Sequence, residues 1–234
     1  MKNINQSKKG RVTKVFNEVF NKYDLMNDVI SFGTHRLWKK KLIDWMSPRR
    51  NQHLIDVASG TGDIAKVFLN ETNFFGKVSC VEPNKNMLKL GEEKLKNFNN
   101  IKWYCAQAEK LPFKDETFDI YVVSFGIRNF SNIKLALEES KRVLKTGGRF
   151  LCLEFSKVNN EILSGFYKKY SKIIPHIGKY IVGKSEPYEY LVNSINDFYS
   201  QEELLKIIKS SGFENVEYRD LSGGIATIHS GWKI

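Results

Sequence analysis

The stretch HLIDVASGTGDIA, residues 53–65, joins an apolar run that ends in an acid to a loop holding Gly60 and Gly62. Two glycines at that spacing keep side chains out of a ligand's way and let a buried strand turn into a helix whose first amides are free. With the hydroxyl of Thr61, those amides could hold a polar group close to the backbone. Asp56 ahead of the glycines and Asp63 behind them make a poor site for two phosphates. An ammonium group suits that electrostatics better.

Glu82 stands about twenty residues further on, at the end of the next apolar run, where an acid typically accepts hydrogen bonds from ribose hydroxyls. Gln107, in AQAEKLPF after the third run, could reach an adenine edge. Three such loops at neighbouring strand ends fit a ligand made of a cationic amino acid, a ribose and an adenine. S-adenosylmethionine is that molecule. Gly60, Gly62 and Ala65 also satisfy the looser dinucleotide pattern, so a nicotinamide-dependent oxidoreductase stays open on the glycines alone.

These residues need a scaffold that gathers strand ends. From residue 52 onward, short apolar strands alternate with amphipathic helices: HLIDVA, DIAKVFLN, KVSCVE, NMLKLGEEKLKN, IKWYCA, FDIYVVSF, KLALEESKRVLK and RFLCLEFS. That alternation predicts a doubly wound parallel sheet covered by helices on both faces, with ligands at the carboxyl ends of the strands. Gly147 and Gly148 in KTGGRF read as a helix stop ahead of a new strand. Ser200 reads as an N-cap with Glu203 three residues later, and FENVEYRDL and GGIATIHSGWKI read as a hairpin about Ser222, Gly223 and Gly224. The expected fold is therefore α/β, a mostly parallel seven-stranded sheet with an antiparallel last strand, Rossmann-like, as in class I methyltransferases.

Two peripheral parts are added to it. Residues 1–50 carry apolar residues at helical intervals broken near SFG, a helical cap that belongs to the same domain as residues 51–234. Residues 158–199 are longer than a simple crossover and form a helical insertion near the site. At 234 residues and 41% hydrophobic content, the chain supports one core. No apolar run suits a signal peptide or a membrane span. Cys80, Cys105 and Cys152 lie singly inside apparent strands, without the spacing of a zinc site or a disulfide framework, which points to a reducing compartment and to no metal. The net charge of +11 suits nucleic acid, an anionic membrane or simply a Lys-rich surface, and decides among none of them.

The stretches KYDLMNDVISFGTHRLWKK, DVASGTGDIA, AEKLPFKDETFDIYVVSFGIRN, RVLKTGGRFLCLEFSK, YEYLVNSI and LSGGIATIHSGWK together resemble the ubiquinone/menaquinone biosynthesis C-methyltransferases. The resemblance runs from about residue 12 to the C-terminus. It implies methyl transfer from S-adenosylmethionine to a ring carbon of a polyprenylated quinol, 2-polyprenyl-6-methoxy-1,4-benzoquinol or demethylmenaquinol. Carried over by motif, Thr61, Glu82, Gln107 with Ala108, and Ser124 would touch the methyl donor, beside Asp56, Gly60 and Gly62 of the loop. Glu82 replaces the Asp, and Gln107 the Asn or Asp, more usual at those positions.

In SFGIRN, after the fourth strand, Arg128 is expected to face the acceptor and stabilise a developing phenolate or polarise a water, with Asn129 beside it. His229 in TIHSGWK and His35 in THRLWKK have side chains suited to a base near neutrality. Tyr23, Asn27 and Asp28 of the cap could close over the ring and exclude water. A bilayer-dissolved quinol would require contact with a membrane surface, and GFYKKYSKIIPHIGKYIVGK interleaves Lys with Tyr, Phe and Ile as a headgroup boundary demands. The same segment could equally be a basic helix packed on its own domain. The resemblance further implies a homodimer, an assembly of quinone-synthesis enzymes, and a cytoplasmic enzyme peripheral on the inner face of the membrane, with no nucleic acid bound. An RNA or protein methyltransferase is the competing reading, but amine-methylating enzymes of that kind carry a Pro-Pro-aromatic loop where this chain has SFGIRN. A non-enzymatic subunit of such an assembly is a third reading, opposed by the intact glycine loop.

Overall fold

In HLIDV the side chains alternate across the sheet, Leu54 joining one apolar layer and Ile55 with Val57 the other, so this strand is buried on both faces. It is the centre of the fold. The computed structural model describes residues 33–158 and 185–234, together with Gly10, Asp28 and Ser31. The expected positions of Tyr23 and Asn27, and the Lys- and Tyr-rich stretch of the insertion, lie outside the described residues.

The described chain begins with α1 (His35–Met46), then β1 (His53–Val57), α2 (Asp63–Glu71), β2 (Lys77–Val81), α3 (Lys85–Lys94), β3 (Ile101–Tyr104) and β4 (Phe118–Ser124). A 3-10 turn (Ile127–Asn129) leads into α4 (Ile133–Val143) and β5 (Leu144–Phe155). The expected insertion contains α5 (Glu186–Asn196), and after it come α6 (Gln201–Ser210), β6 (Glu214–Leu221), a 3-10 turn (Ser222–Gly224) and β7 (Ala226–Trp232). The seven strands lie in the order β3-β2-β1-β4-β5-β7-β6. Pairings from β3 through β5 are parallel, and β7 runs antiparallel to both β5 and β6. The strand order reverses at β1, which sits between β2 and β4 and opens a crevice at their carboxyl ends.

One face of the sheet packs against Trp38, Leu42, Ile43 and Met46 of α1 and against α2, and the other against α4 and α6. Each of those α1 side chains contributes roughly 1.5–3 kcal/mol by leaving water. The helix starts after a turn in which Gly33 has φ +73° and its amide donates to the Asp28 carbonyl at 2.8 Å, which is the break expected near SFG. Trp38 reaches the far end of the chain, its indole donating to Ser222 Oγ at 2.9 Å. The capping box at Ser200 and Glu203 is present, and the hairpin turns where expected.

Two local expectations change. The strand after α4 starts at Leu144 and takes in KTGG, because the Gly147 amide donates to Lys233 and Gly148 accepts from Lys233 past the end of β7. Cys80 and Cys152 are buried in strands, whereas Cys105 is exposed just beyond β3.

Candidate active site

A groove crosses the carboxyl ends of the parallel strands, lined by Val57, Ala58 and Gly60 after β1, Glu82 after β2, Ala106 to Glu109 after β3, and Phe125, Gly126 and Asn129 after β4. A smaller recess adjoins it through Ala58, Gly60 and Phe125 and runs down to Asp56, Thr61, Ser124 and Lys39. Chain topology thus brings together the three loops and the strand ends that the sequence pattern singled out.

Glu82 is buried and cross-links the site, its carboxylate accepting from the Gly60 amide at 3.1 Å and the Asn84 amide at 2.8 Å. Burial pushes its pKa up to about 7 against the pull of those two amides. The remaining lone pairs face the groove, where hydroxyl donors would satisfy them. Asn84 in turn caps α3, fixing the floor beneath Met87.

At the inner end Asp56 is 1% exposed, and its Oδ2 atom has no hydrogen-bond partner among the described residues. Burial raises its pKa to about 8, although Lys39 nearby opposes the shift. Ser124 Oγ, on the same recess, is likewise buried without a partner. Orphaned buried oxygens are rare because each costs about 1–3 kcal/mol, and a pair of acceptors here fits an incoming ammonium.

The two glycines divide their work differently from the expectation. Gly60 opens on the groove, with φ +58° and a built Cβ 3.4 Å from Met87 Cε. Gly62 does not face the ligand space: a Cβ there would come within 2.6 Å of Leu95 and 2.9 Å of Trp103, so its role is helix-to-sheet packing at φ +82°. Thr61 lines the recess, its hydroxyl accepting from Lys94 Nζ at 3.2 Å. Asp63 also departs from its expected part. Burial alone would raise its pKa, but Lys39 and Lys94, each 2.8 Å away, hold the carboxyl well below the usual range and neutralise it.

Gln107 and Ala108 line the outer end, and Glu109 beside them accepts from the Ser131 and Asn132 amides at 2.7 and 3.1 Å, tying the loop after β3 to the loop after β4. Asn129 lines the groove and its Oδ1 accepts from the Tyr190 hydroxyl of α5 at 2.9 Å.

Arg128 is corrected by its surroundings. It is 5% exposed, and its Nη1 donates to Glu154 Oε1 at 2.6 Å and to the Phe125 carbonyl at 2.7 Å, so the guanidinium is held beneath the loop by a buried carboxylate on β5. His229 is corrected likewise. Its Nε2–H donates to the Gln201 carbonyl at 2.9 Å between β7 and α6, away from the groove-lining residues, and burial lowers its pKa to about 4. His35 donates from Nε2 to Asp28 Oδ1 at 2.9 Å, while Asp28 also accepts from Arg36. That half-buried pair fastens the start of α1 and lines neither cavity.

Sequence reasoning missed Lys39, Glu109 and Glu154. A charged residue inside the otherwise apolar run FLCLEF was the available signal for Glu154. Lys39 sits in a run of three lysines and carries no such mark.

The donor set fits S-adenosylmethionine: unpaired acceptors for an ammonium, a buried carboxylate for ribose hydroxyls, and Gln107 with the apolar walls of Met87, Ala108 and Phe130 for an adenine. Comparison with known proteins agrees. The model of the ubiE/COQ5 methyltransferase family matches residues 3–233. The ubiquinone/menaquinone biosynthesis C-methyltransferase UbiE of Rickettsia akari (strain Hartford) is 50% identical over 234 residues, covering 97% of this chain and 94% of the relative. The corresponding UbiE of Ruegeria sp. (strain TM1040) is 48% identical, covering 97% and 92%. Among solved structures, a SAM-dependent methyltransferase from Aquifex aeolicus superimposes with a TM-score of 0.63 at 18% identity, over 84% of this chain and 89% of that one. A phosphoethanolamine N-methyltransferase 2 from Haemonchus contortus gives 0.62 at 14% identity, over 84% and 52%. At those identities the two structures speak for the fold alone.

Proposed function

The chain belongs to the ubiE/COQ5 methyltransferase family, and from that premise we propose that it C-methylates the ring of a polyprenylated quinol in ubiquinone or menaquinone biosynthesis. The observation that carries this reading is the groove itself, in which Glu82, the Asp56 recess and the Gln107–Ala108 loop meet beside SFGIRN. Bound S-adenosylmethionine would supply an electrophilic methyl group.

The residues of this chain then have distinct tasks. Asp56 and Ser124 receive the amino-acid end of the donor, Glu82 the ribose, and Gln107 with Ala108 the adenine. Ring carbon becomes nucleophilic when a quinol hydroxyl ionises, and a phenol of pKa near 10 needs roughly 4 kcal/mol of help at neutral pH. Asn129 offers an amide donor at the acceptor side of the groove, its Oδ1 already engaged by Tyr190, so that the NH2 group is free to stabilise phenolate oxygen. Arg128 acts one step removed, holding the loop that carries Asn129. Phe125 and Phe130 supply apolar wall against which a ring can lie.

A prenylated acceptor resides in the bilayer. No helix among the described residues is long and apolar enough to cross a membrane, so the reading includes peripheral contact through the Lys- and Tyr-rich insertion, on the cytoplasmic side. It also includes a homodimer and association with other quinone-synthesis enzymes, both by likeness to the family.

The test is to incubate the protein with labelled S-adenosylmethionine and a chemically reduced, short-chain demethylated benzoquinol, in parallel with the naphthoquinol, and to weigh the products. A methyl group on ring carbon of either acceptor is the expected result. Donor binding without transfer to either would overturn the acceptor class.

A further inference from the structure

Lys39 projects from α1 into the recess that holds Asp56, its side chain 12% exposed and its Nζ 2.8 Å from Asp63 Oδ2. The bland account is that Lys39 exists to neutralise Asp63. Lys94 already does that from the other side, at the same 2.8 Å from Oδ1. Asp63 therefore keeps a cation if Lys39 turns away, and a lysine on four single bonds can turn at little cost.

The recess also lacks half of what its ligand needs. Asp56 Oδ2 and Ser124 Oγ are acceptors without partners and suit an α-ammonium. An amino acid carries its carboxylate on the same carbon, within a few ångströms of that ammonium, and a carboxylate entering beside two acidic side chains requires a cation. Lys39 is the cationic residue on the wall shared with Asp56, Ser59, Thr61 and Ile64.

We propose that Lys39 is the receptor of the donor's carboxylate, exchanging Asp63 for it when the donor enters and leaving Asp63 to Lys94. The proposal rests on the reading of this groove as the S-adenosylmethionine site. Because Lys39 belongs to α1, the helix that covers this end of the sheet becomes directly attached to the methyl donor.

Two ligands that differ only in the group at issue supply the test: S-adenosylmethionine and its decarboxylated form, titrated calorimetrically into the intact protein. Wild type should bind the decarboxylated ligand roughly 10- to 100-fold more weakly, as expected for loss of one charge-assisted contact. Lys39→Met should bind the two alike, and Lys39→Arg should restore most of the difference. A purely structural Lys39 would shift both affinities equally and preserve the ratio, which would overturn the proposal. Should Lys39→Met fail to fold, Asp63→Asn decides: it frees Lys39 from its resident partner and should widen the ratio, and an unchanged ratio counts against the proposal. If wild type binds neither ligand, it is the donor-site reading that fails.

Discussion

Arg128 and Glu154 lie 2.6 Å apart with side chains only 3% and 2% exposed, which makes them a buried ion pair joining the loop after β4 to strand β5. Glu154 also accepts from the backbone amides of Arg128 and Phe155, so a single carboxylate fixes the 3-10 turn that ends in Asn129. Its removal strands a guanidinium out of water. Glu154→Ala should therefore cost about 3–5 kcal/mol of stability in urea denaturation. Glu154→Gln keeps an acceptor for the amides and should cost less while still lowering turnover more than affinity for S-adenosylhomocysteine. Equal losses of turnover and affinity would show that the pair does not act through the Asn129 loop.

The glycine loop predicts a clean separation of effects. Gly62→Ala puts a Cβ against Leu95 and Trp103 at a left-handed φ, and should lose on the order of 1–3 kcal/mol of stability. Gly60→Ala shares the left-handed strain at φ +58° but meets only the end of Met87 in the groove, so it should cost less stability than Gly62→Ala while weakening donor binding more. Thermal melts of both variants with and without S-adenosylhomocysteine check this.

Asp56 gives the donor-free protein a pH dependence of known sign. Its pKa is about 8 when folded against an ordinary 3.8, so the folded state holds an extra proton between those values. The stability that this group contributes is complete below about pH 4 and is lost as pH rises through 8. Asp56→Asn removes the dependence, and its melting temperature should gain on wild type steadily from pH 5 to pH 8. Glu82 shifts in the same direction but is present in both proteins, so the difference isolates Asp56. Adding S-adenosylhomocysteine, with its ammonium, should narrow the gap at pH 8.

Between pH 6 and 9 the His229 imidazole should stay neutral, since its pKa lies near 4. His229→Gln should leave the shape of the pH–rate profile unaltered. Loss of one limb of that profile would return the histidine to the chemistry.

What the sequence disclosed followed physical periodicity. The apolar runs HLIDV and FDIYVVS, and the helical spacing of Trp38, Leu42 and Met46, are set by burial, so the strands and the layered α/β class were readable. The placement of Glu82 and Gln107 at the groove was readable because the segments that follow strands of a parallel sheet open on the crevice. The parts that were not readable depend on distance in space. Arg128 looks available until Glu154, 26 positions away, is folded beneath it. His229 looks like a base until its Nε2–H is seen donating to the Gln201 carbonyl in a buried setting. Gly62 looks like Gly60 until Trp103 arrives.

The hydrogen bond from Trp38 to Ser222 spans 184 positions, and β5 finds its outer partner only in β7, the last described strand in chain order. Until residues 222–232 have docked, β5 is an open edge and Trp38 lacks its hydrogen-bond acceptor. Completion of this core is therefore a long-range step, and the turn that carries Ser222 acts as the latch on the first helix described.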